Sequence, residues 1–332
     1  MRFQVVITTI QNPTDSLQKM ASEAGRHGAK LTVMGDRKGP ESFDLEHTEL
    51  FTIDRQRQLP HTLAKLLPEN HYSRKNLGYL EAIKGGADCI FETDDDNHPS
   101  DNWQPKSLHQ QAQVVGQKGW CNVYRYFSDE NIWPRGFPLE CIQQEIVDRN
   151  QLGTKEDEFP IQQLLADGSP DVDAIWRLVL DREISFKKAG AIALPEGTWC
   201  PFNSQATWWW PQAFHLMYLP SFCSFRMTDI WRSFVAQRCL WADEKSLLFN
   251  QAEMYQERND HNLMKDFSDE IDGYLNNADI ATCLEKTQLE PGQPADNLLK
   301  CYETLVKDGF IPESEIQLVQ AWNKDLQSVC DS

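Results

Sequence analysis

Residues 3–10 read FQVVITTI, a nearly unbroken run of apolar and β-branched side chains. A strand with no polar face must be covered on both sides. That requirement points to a sheet with helices packed on its faces, and the next hundred residues agree. Asn12-Pro13-Thr14-Asp15 is a turn in which Thr14 or Asp15 can cap a helix. SLQKMASEAGRHG is then helical and stops at Gly25 or Gly28. AKLTVMGD reads as a second strand and TELFTID as a short third. YSRKNLGYLEAIKGG is a helix ended by Gly85-Gly86, and ADCIFETD is a strand again. Strands alternating with helices build βαβ units around a parallel sheet. Ligands on such sheets lie beyond the carboxyl ends of the strands.

From about 119 to 242 the pattern is less regular, with short strands and loops expected. Its last segment, DIWRSFVAQRCLW, reads as a helix that Asp229 can cap. From about 245 the chain is charged, amphipathic and helical, broken mainly at TQLEPGQPAD (287–296). We expect an α/β domain over 1–244 and a helical C-terminal extension over 245–332. The net charge of −18 disfavours nucleic acid and anionic membranes, which need a basic face. Nine cysteines without a CxxC pair give no legible zinc or disulfide framework. Reduced thiols, the lack of a signal-type apolar segment and the lack of a membrane-length run predict a soluble, cytoplasmic protein.

The strand CIFET runs into Asp94-Asp95-Asp96. In an extended chain alternate residues share a side, so Asp94 and Asp96 face one way and Asp95 the other. Two hard oxygen donors at a strand end suit Mg²⁺ or Mn²⁺, which complete their shells with water and substrate phosphates. A metal of this kind lets an acidic chain hold a nucleoside diphosphate. A solvated acidic turn is the alternative. An EF-hand is disfavoured, because the central Gly and terminal Glu are missing.

Several ordered motifs carry a family resemblance: YSRKNLGYLEAIKGGADCIFETDDDN, NVYRYFSDENIWPRGFPLE, DVDAIWRL, PFNSQATWWWPQAF and LPSFCSFRMTDIWRSFVAQRCLW. Together they resemble the STELLO family of glycosyltransferase-like proteins over roughly residues 3–242. The resemblance implies a GT-A-type fold, a Rossmann-like mixed sheet flanked by helices. It also implies a nucleotide-sugar donor, with uridine as its nucleoside, and a divalent metal at Asp94 and Asp96. Many plant members carry a membrane anchor that is not seen here. By the same resemblance Thr8, Thr9 and Ile10, with Asp36 at the end of VMGD, belong to the nucleotide site. Ordinary β-propensity explains the threonines equally well.

Further candidates come from local pattern. Lys75, with Arg74, opens a helix where cations oppose the dipole, a cost that a bound phosphate would offset. Arg135, between Pro134 and Gly136, could clamp a diphosphate bidentately or pair with a structural carboxylate. In DVDAIWRL, Asp173 is the choice for a sugar-facing carboxylate, with helix capping as its alternative and as the preferred role of Asp171. Asn203 and Gln205 could read sugar hydroxyls, while the three tryptophans that follow are more often packing. Asp229, flanked by Arg226 and Arg232, has the position of the general base of inverting GT-A enzymes. Asp95 joins the donor set, and His215 or His261 could supply a third metal ligand. Three functions fit: a metal-dependent glycosyltransferase, a sugar-nucleotide mutase with a self-glycosylated Arg135, or a non-catalytic scaffold using the C-terminal helices.

Overall fold

The apolar run at the N-terminus is the strand its composition requires, and its neighbours assemble around it. The computed structural model describes residues 1–257 and 262–331. Its strands are β1 (Phe3–Thr8), β2 (Lys30–Met34), β3 (Thr48–Phe51), β4 (Cys89–Thr93), β5 (Asn97–Pro99), β6 (His109–Val114), β7 (Gly119–Trp120), β8 (Gly153–Glu158), β9 (Ile161–Gly168), β10 (Ala191–Leu194), β11 (Thr198–Trp199), β12 (Ala206–Trp209) and β13 (Leu247–Gln256). Its helices are α1 (Asp15–Arg26), α2 (Ile53–Arg57), α3 (Thr62–Leu66), α4 (Lys75–Lys84), α5 (Ala174–Val179), α6 (Thr228–Ala242), α7 (Leu263–Glu285), α8 (Pro294–Lys307) and α9 (Ser314–Cys330).

One large sheet has the order β3-β2-β1-β4-β12-β9-β13-β10-β6-β8, with β5 pairing on β13. β3, β2, β1 and β4 are mutually parallel. β12 is antiparallel to both its neighbours, β4 and β9, and β13 then runs parallel to β9. The carboxyl ends of β1, β2, β4, β9 and β13 therefore point the same way, with the amino end of β12 among them. This is the expected mixed sheet. It places Thr8, Met34, Asp94, the turn after Gly168, and Gln256 along one rim.

Local chemistry explains the elements. Thr14 caps α1 by accepting from the Leu17 amide at 3.2 Å, and Leu17, Met20, Ala21 and Ala24 are its buried face. On the opposite side of the sheet, α4 lies so close that a side chain at Gly78 would collide with Val6 and Met34. In β4, Glu92 is fully buried and accepts from Trp209 Nε1 at 2.8 Å and from Arg232 Nη1 at 3.0 Å. That pair fixes α6 to the sheet; Arg232 bonds Glu92, and its charge also helps to lower the pKa of Asp229.

One expectation fails here. The segment 247–256, LLFNQAEMYQ, was assigned to a helical extension by its amphipathic character, but it is β13, central in the sheet. Pairing with β9 and β10 overrides local propensity. The sheet thus crosses the proposed boundary at 244/245, and the helical region begins at α7. Among the described residues, no helix is long and apolar enough to cross a membrane.

Candidate active site

The rim of strand ends encloses a cleft of about 410 Å³. Thr8, Thr9, Ile10 and Asp36 line it from β1 and β2; Asp94, Asp95 and Asp96 from β4; Gln205 and Asp229 from the far wall. The sequence therefore brings most of its candidates to one place.

The acidic triplet is not extended. It forms a turn in which the Asn97 amide approaches the Asp94 carbonyl at 3.4 Å, and all three carboxylates line the cleft. The alternation expected of Asp95 is corrected on that ground. Thr9 Oγ1 donates to Asp95 Oδ2, and the Thr14 and Ser16 hydroxyls donate to the Asp95 carbonyl, which ties the turn to the start of α1. Asp94 accepts from Tyr72 Oη at 2.9 Å and Lys75 Nζ at 3.1 Å. Among the described residues the Asp96 side chain accepts from Gln256 Nε2, at 3.1 Å. Burial raises the proton affinity of all three, and the Asp94 charge adds to it at Asp96, whose pKa is pushed up to about 7.

Three crowded carboxylates with one buried ammonium between them leave negative charge uncompensated. That donor set fits a hard divalent cation. Asp94 and Asp96 would hold it, with the remaining positions open to water and phosphate. Among the described residues no three His, Cys, Asp or Glu side chains form a preformed metal cage. His215 is not a third ligand: it bonds Asn323 at 3.0 Å and does not line the cleft. His261 lies outside the described residues.

Four other expectations are corrected. Lys75 is 0% exposed and donates to Thr93 O at 2.7 Å, Tyr72 Oη and Asp94. It neutralises the triplet from beneath and does not reach a phosphate. Asp173 is turned inward: it accepts from the Trp176 amide at 2.8 Å, capping α5, and from Trp133 Nε1 at 2.5 Å. Asp171, assigned the cap in the sequence, is the residue that lines the cleft. The DVD motif is thus read one phase out, because α5 starts at Ala174 and its cap is the residue just before it. Asn203 braces its own turn, accepting from the Gln205 amide at 3.0 Å, and is absent from the cleft wall.

Arg135 is the fourth. Its Nε and Nη2 donate to Asp171 at 2.8 and 2.9 Å, its Nη1 and Nη2 to Asp229 at 2.9 Å each, and Nη1 also to the Arg226 carbonyl. These five bonds use every N–H a guanidinium has. No donor is left for a diphosphate, and a self-glycosylated Arg135 has no available nitrogen. Asp229 lies in the first turn of α6 and caps nothing, since the cap position is Met227. Burial alone would raise its pKa, but the Arg135 charge and hydrogen bonds carry it well below the usual carboxylate range. A carboxylate held that low is a weak proton acceptor. It can still orient a hydroxyl through its remaining lone pairs.

Tyr72, Ser204, Asp171 and Gln256 were missed by sequence reasoning. Tyr72 Oη bridges Asp94 and Ser204 Oγ, at 2.9 and 2.5 Å, linking the two walls. Its place three residues before Lys75, on one helical face, was the available signal. Gln256 was hidden by the misread strand.

The STELLO glycosyltransferase family model matches residues 226–331. Probable glycosyltransferase STELLO2 of Arabidopsis thaliana is 26% identical over 352 aligned residues, covering 98% of this chain and 44% of the relative. Probable glycosyltransferase STELLO1 of the same plant is 26% identical over 358, with the same coverage. The chain thus spans less than half the length of these curated relatives. Among solved structures, glucosyl-3-phosphoglycerate synthase from Mycobacterium tuberculosis in complex with Mn²⁺, UDP and glucosyl-3-phosphoglycerate is similar at a TM-score of 0.38 and 9% identity, over 86% of this chain and 78% of that one. A mycobacterial protein is similar at a TM-score of 0.40 and 10% identity, over 84% and 75%. The likeness to the plant proteins runs through the C-terminal helices as well as the motifs of residues 3–242, and along nearly its whole length the chain is similar to the STELLO glycosyltransferases.

Proposed function

We propose that this chain is a divalent-metal-dependent glycosyltransferase that moves a sugar from a uridine-diphosphate-linked donor to an acceptor hydroxyl. The observation that carries the reading is the acidic turn Asp94–Asp96, facing a cleft at the carboxyl ends of the strands with its charge only partly met by Lys75. Thr8, Thr9, Ile10 and Asp36 are assigned to the nucleoside, Asp94 and Asp96 to the metal, and Gln205 to a sugar hydroxyl. Asp95 holds the turn in place through Thr9. A bound Mn²⁺ or Mg²⁺ supplies charge stabilisation for the departing diphosphate.

In the transfer the bond from the anomeric carbon to the phosphate oxygen breaks, and its electron pair leaves with the nucleoside diphosphate. The acceptor oxygen bonds to that carbon and gives up its proton. Asp229 orients this hydroxyl, with Arg135 and Ser204 fixing the carboxylate (Ser204 N at 3.1 Å). Because Arg135 lowers its basicity, Asp229 assists proton loss only once the attacking oxygen has become acidic.

Thermal-shift measurements with nucleotide-sugars, with and without Mn²⁺, test the reading. A donor at 100 times its dissociation constant adds roughly 2.7 kcal/mol of stability. Failure of every nucleotide-sugar to stabilise the wild type in Mn²⁺ would favour the scaffold function instead.

A further inference from the structure

Phe225 is 58% exposed although it lines the cleft. A large aromatic left in water inside a site is an unspent apolar surface. Its position is fixed from several sides. The ring meets Tyr72 in a T-shaped contact with centroids 5.9 Å apart, and Tyr72 Oη is bonded to Asp94. The next residue, Arg226, is held by Glu270 of α7 through Nε at 2.9 Å and Nη2 at 2.8 Å. Its carbonyl receives Arg135. The ring is therefore presented on a rigid segment, one helical turn before Asp229.

The surroundings select the ligand. Asp171 and Asp229 stand on the same wall; the two Asp171 oxygens and Asp229 Oδ1 keep accepting capacity beyond their bonds to Arg135, whereas Asp229 Oδ2 is filled by Arg135 and by the amide and hydroxyl of Ser204. Arg135 has no donor left, Arg226 is paired with Glu270 and Arg177 donates to the Pro170 carbonyl, so the carboxylates dominate this wall and it offers hydrogen-bond acceptors rather than an anion clamp. A phosphorylated or carboxylated molecule would meet those carboxylates unfavourably, and a purely apolar one would strand them. A neutral sugar ring satisfies both: its C–H face covers an aromatic plane, and its hydroxyls donate to carboxylates. The nucleoside is assigned to the ends of β1 and β2, whereas Phe225 belongs to the segment that carries Asp229.

We propose that the acceptor is a neutral carbohydrate and that Phe225 is the platform on which its ring stacks, with Asp171 and Asp229 taking its hydroxyls. This rests on the glycosyltransferase reading above.

The test uses the full chain with Mn²⁺ and UDP present, and xylotriose, maltotriose and mannotriose as neutral probes, with glucose 6-phosphate as the anionic control. Binding is read by saturation-transfer NMR and calorimetry. The wild type should bind at least one trisaccharide more tightly than the sugar phosphate. Phe225→Ala should weaken that binding at least tenfold and leave UDP affinity within twofold. Phe225→Trp should retain it and show fluorescence quenching on addition of the sugar. The platform is overturned if no trisaccharide binds, if Phe225→Ala leaves saccharide affinity unchanged, or if the loss falls on UDP instead. Absence of UDP binding by the wild type sinks the glycosyltransferase reading itself, whereas UDP binding without saccharide binding sinks only the platform.

Discussion

Arg135 and Asp229 face each other as a two-pronged pair, Nη1 to Oδ1 and Nη2 to Oδ2, both at 2.9 Å and both buried. The remaining donors of Arg135 hold Asp171. One cation thus bridges two carboxylates on the acceptor wall, and neither acid is free to move without it.

Removing that cation should be costly. Arg135→Ala leaves two buried carboxylates facing each other, and breaking such a pair costs about 3–5 kcal/mol. Arg135→Lys keeps the charge but replaces a planar fork of five donors with three, so it should recover only part of the loss. Urea unfolding of the three proteins measures both steps. Intact mass after incubation with UDP-sugars should show no adduct on Arg135; a glycosylated Arg135 would restore the mutase reading.

The metal assignment separates neighbouring residues. Mn²⁺ should raise the melting temperature of the wild type, and Asp96→Asn or Asp94→Asn should abolish the rise. Asp95→Asn should keep most of it, because Asp95 is spent on Thr9. Equal losses in all three variants would mean that the turn collapses as a unit and that ligand identity is not being read.

Asp173 predicts a pH dependence away from the cleft. Burial is the main cause that pushes its pKa up to about 7, partly offset by the Trp176 amide and Trp133. Between its ordinary value and about 7 the folded chain holds a proton that the unfolded chain has lost. Stability from this group is therefore greatest in acid, falls as the pH rises from about 4 to about 7, and levels off above. The full window is worth on the order of 4 kcal/mol. The difference between wild type and Asp173→Asn, followed by urea midpoints from pH 4 to 8, should show that slope. A pH-independent difference would place Asp173 in a charged, well-compensated state instead.

How far the sequence carried this picture can be seen from single residues. β1 and β4 were legible because a strand covered on both faces needs a continuous apolar run, and Phe3–Ile7 and Cys89–Phe91 are such runs. Asp94 and Asp96 followed from their place at a strand end. β13 was not legible, since its apolar start and polar second half fit a helix until β9 and β10 are placed beside it. Asp171 and Asp173 differ by two positions, and only the start of α5 decides which one caps. Lys75 and Arg135 were read as ligand cations because the sequence holds many acids and does not say which acid each cation meets. Their partners, Asp94 and Asp229, lie 19 and 94 residues away.

The C-terminal helices give the last prediction. Glu315 of α9 accepts from the Ser221 amide at 3.1 Å and the Phe222 amide at 2.8 Å, and from Tyr218 Oη. Asp325 accepts from the Thr62 and Leu63 amides at 3.0 and 2.7 Å, capping α3 where His61 makes no side-chain cap. Glu270 of α7 accepts from the Ala174 amide at 2.7 Å. Three buried carboxylates from this region thus satisfy backbone groups of the sheet-bearing region, and Tyr302 and Trp322 complete its apolar core. A stranded buried donor costs about 1–3 kcal/mol, so Glu315→Ala should destabilise by more than one such penalty, and Glu315→Gln by less, since its remaining oxygen keeps one amide. A chain ending at residue 257 should fail to fold, losing these carboxylates and uncovering α6 together. Circular dichroism and limited proteolysis decide the matter: a cooperatively unfolding 1–257 fragment would show that α7–α9 are an appended module, whereas an unfolded one makes them part of the domain that carries Asp94 and Asp96.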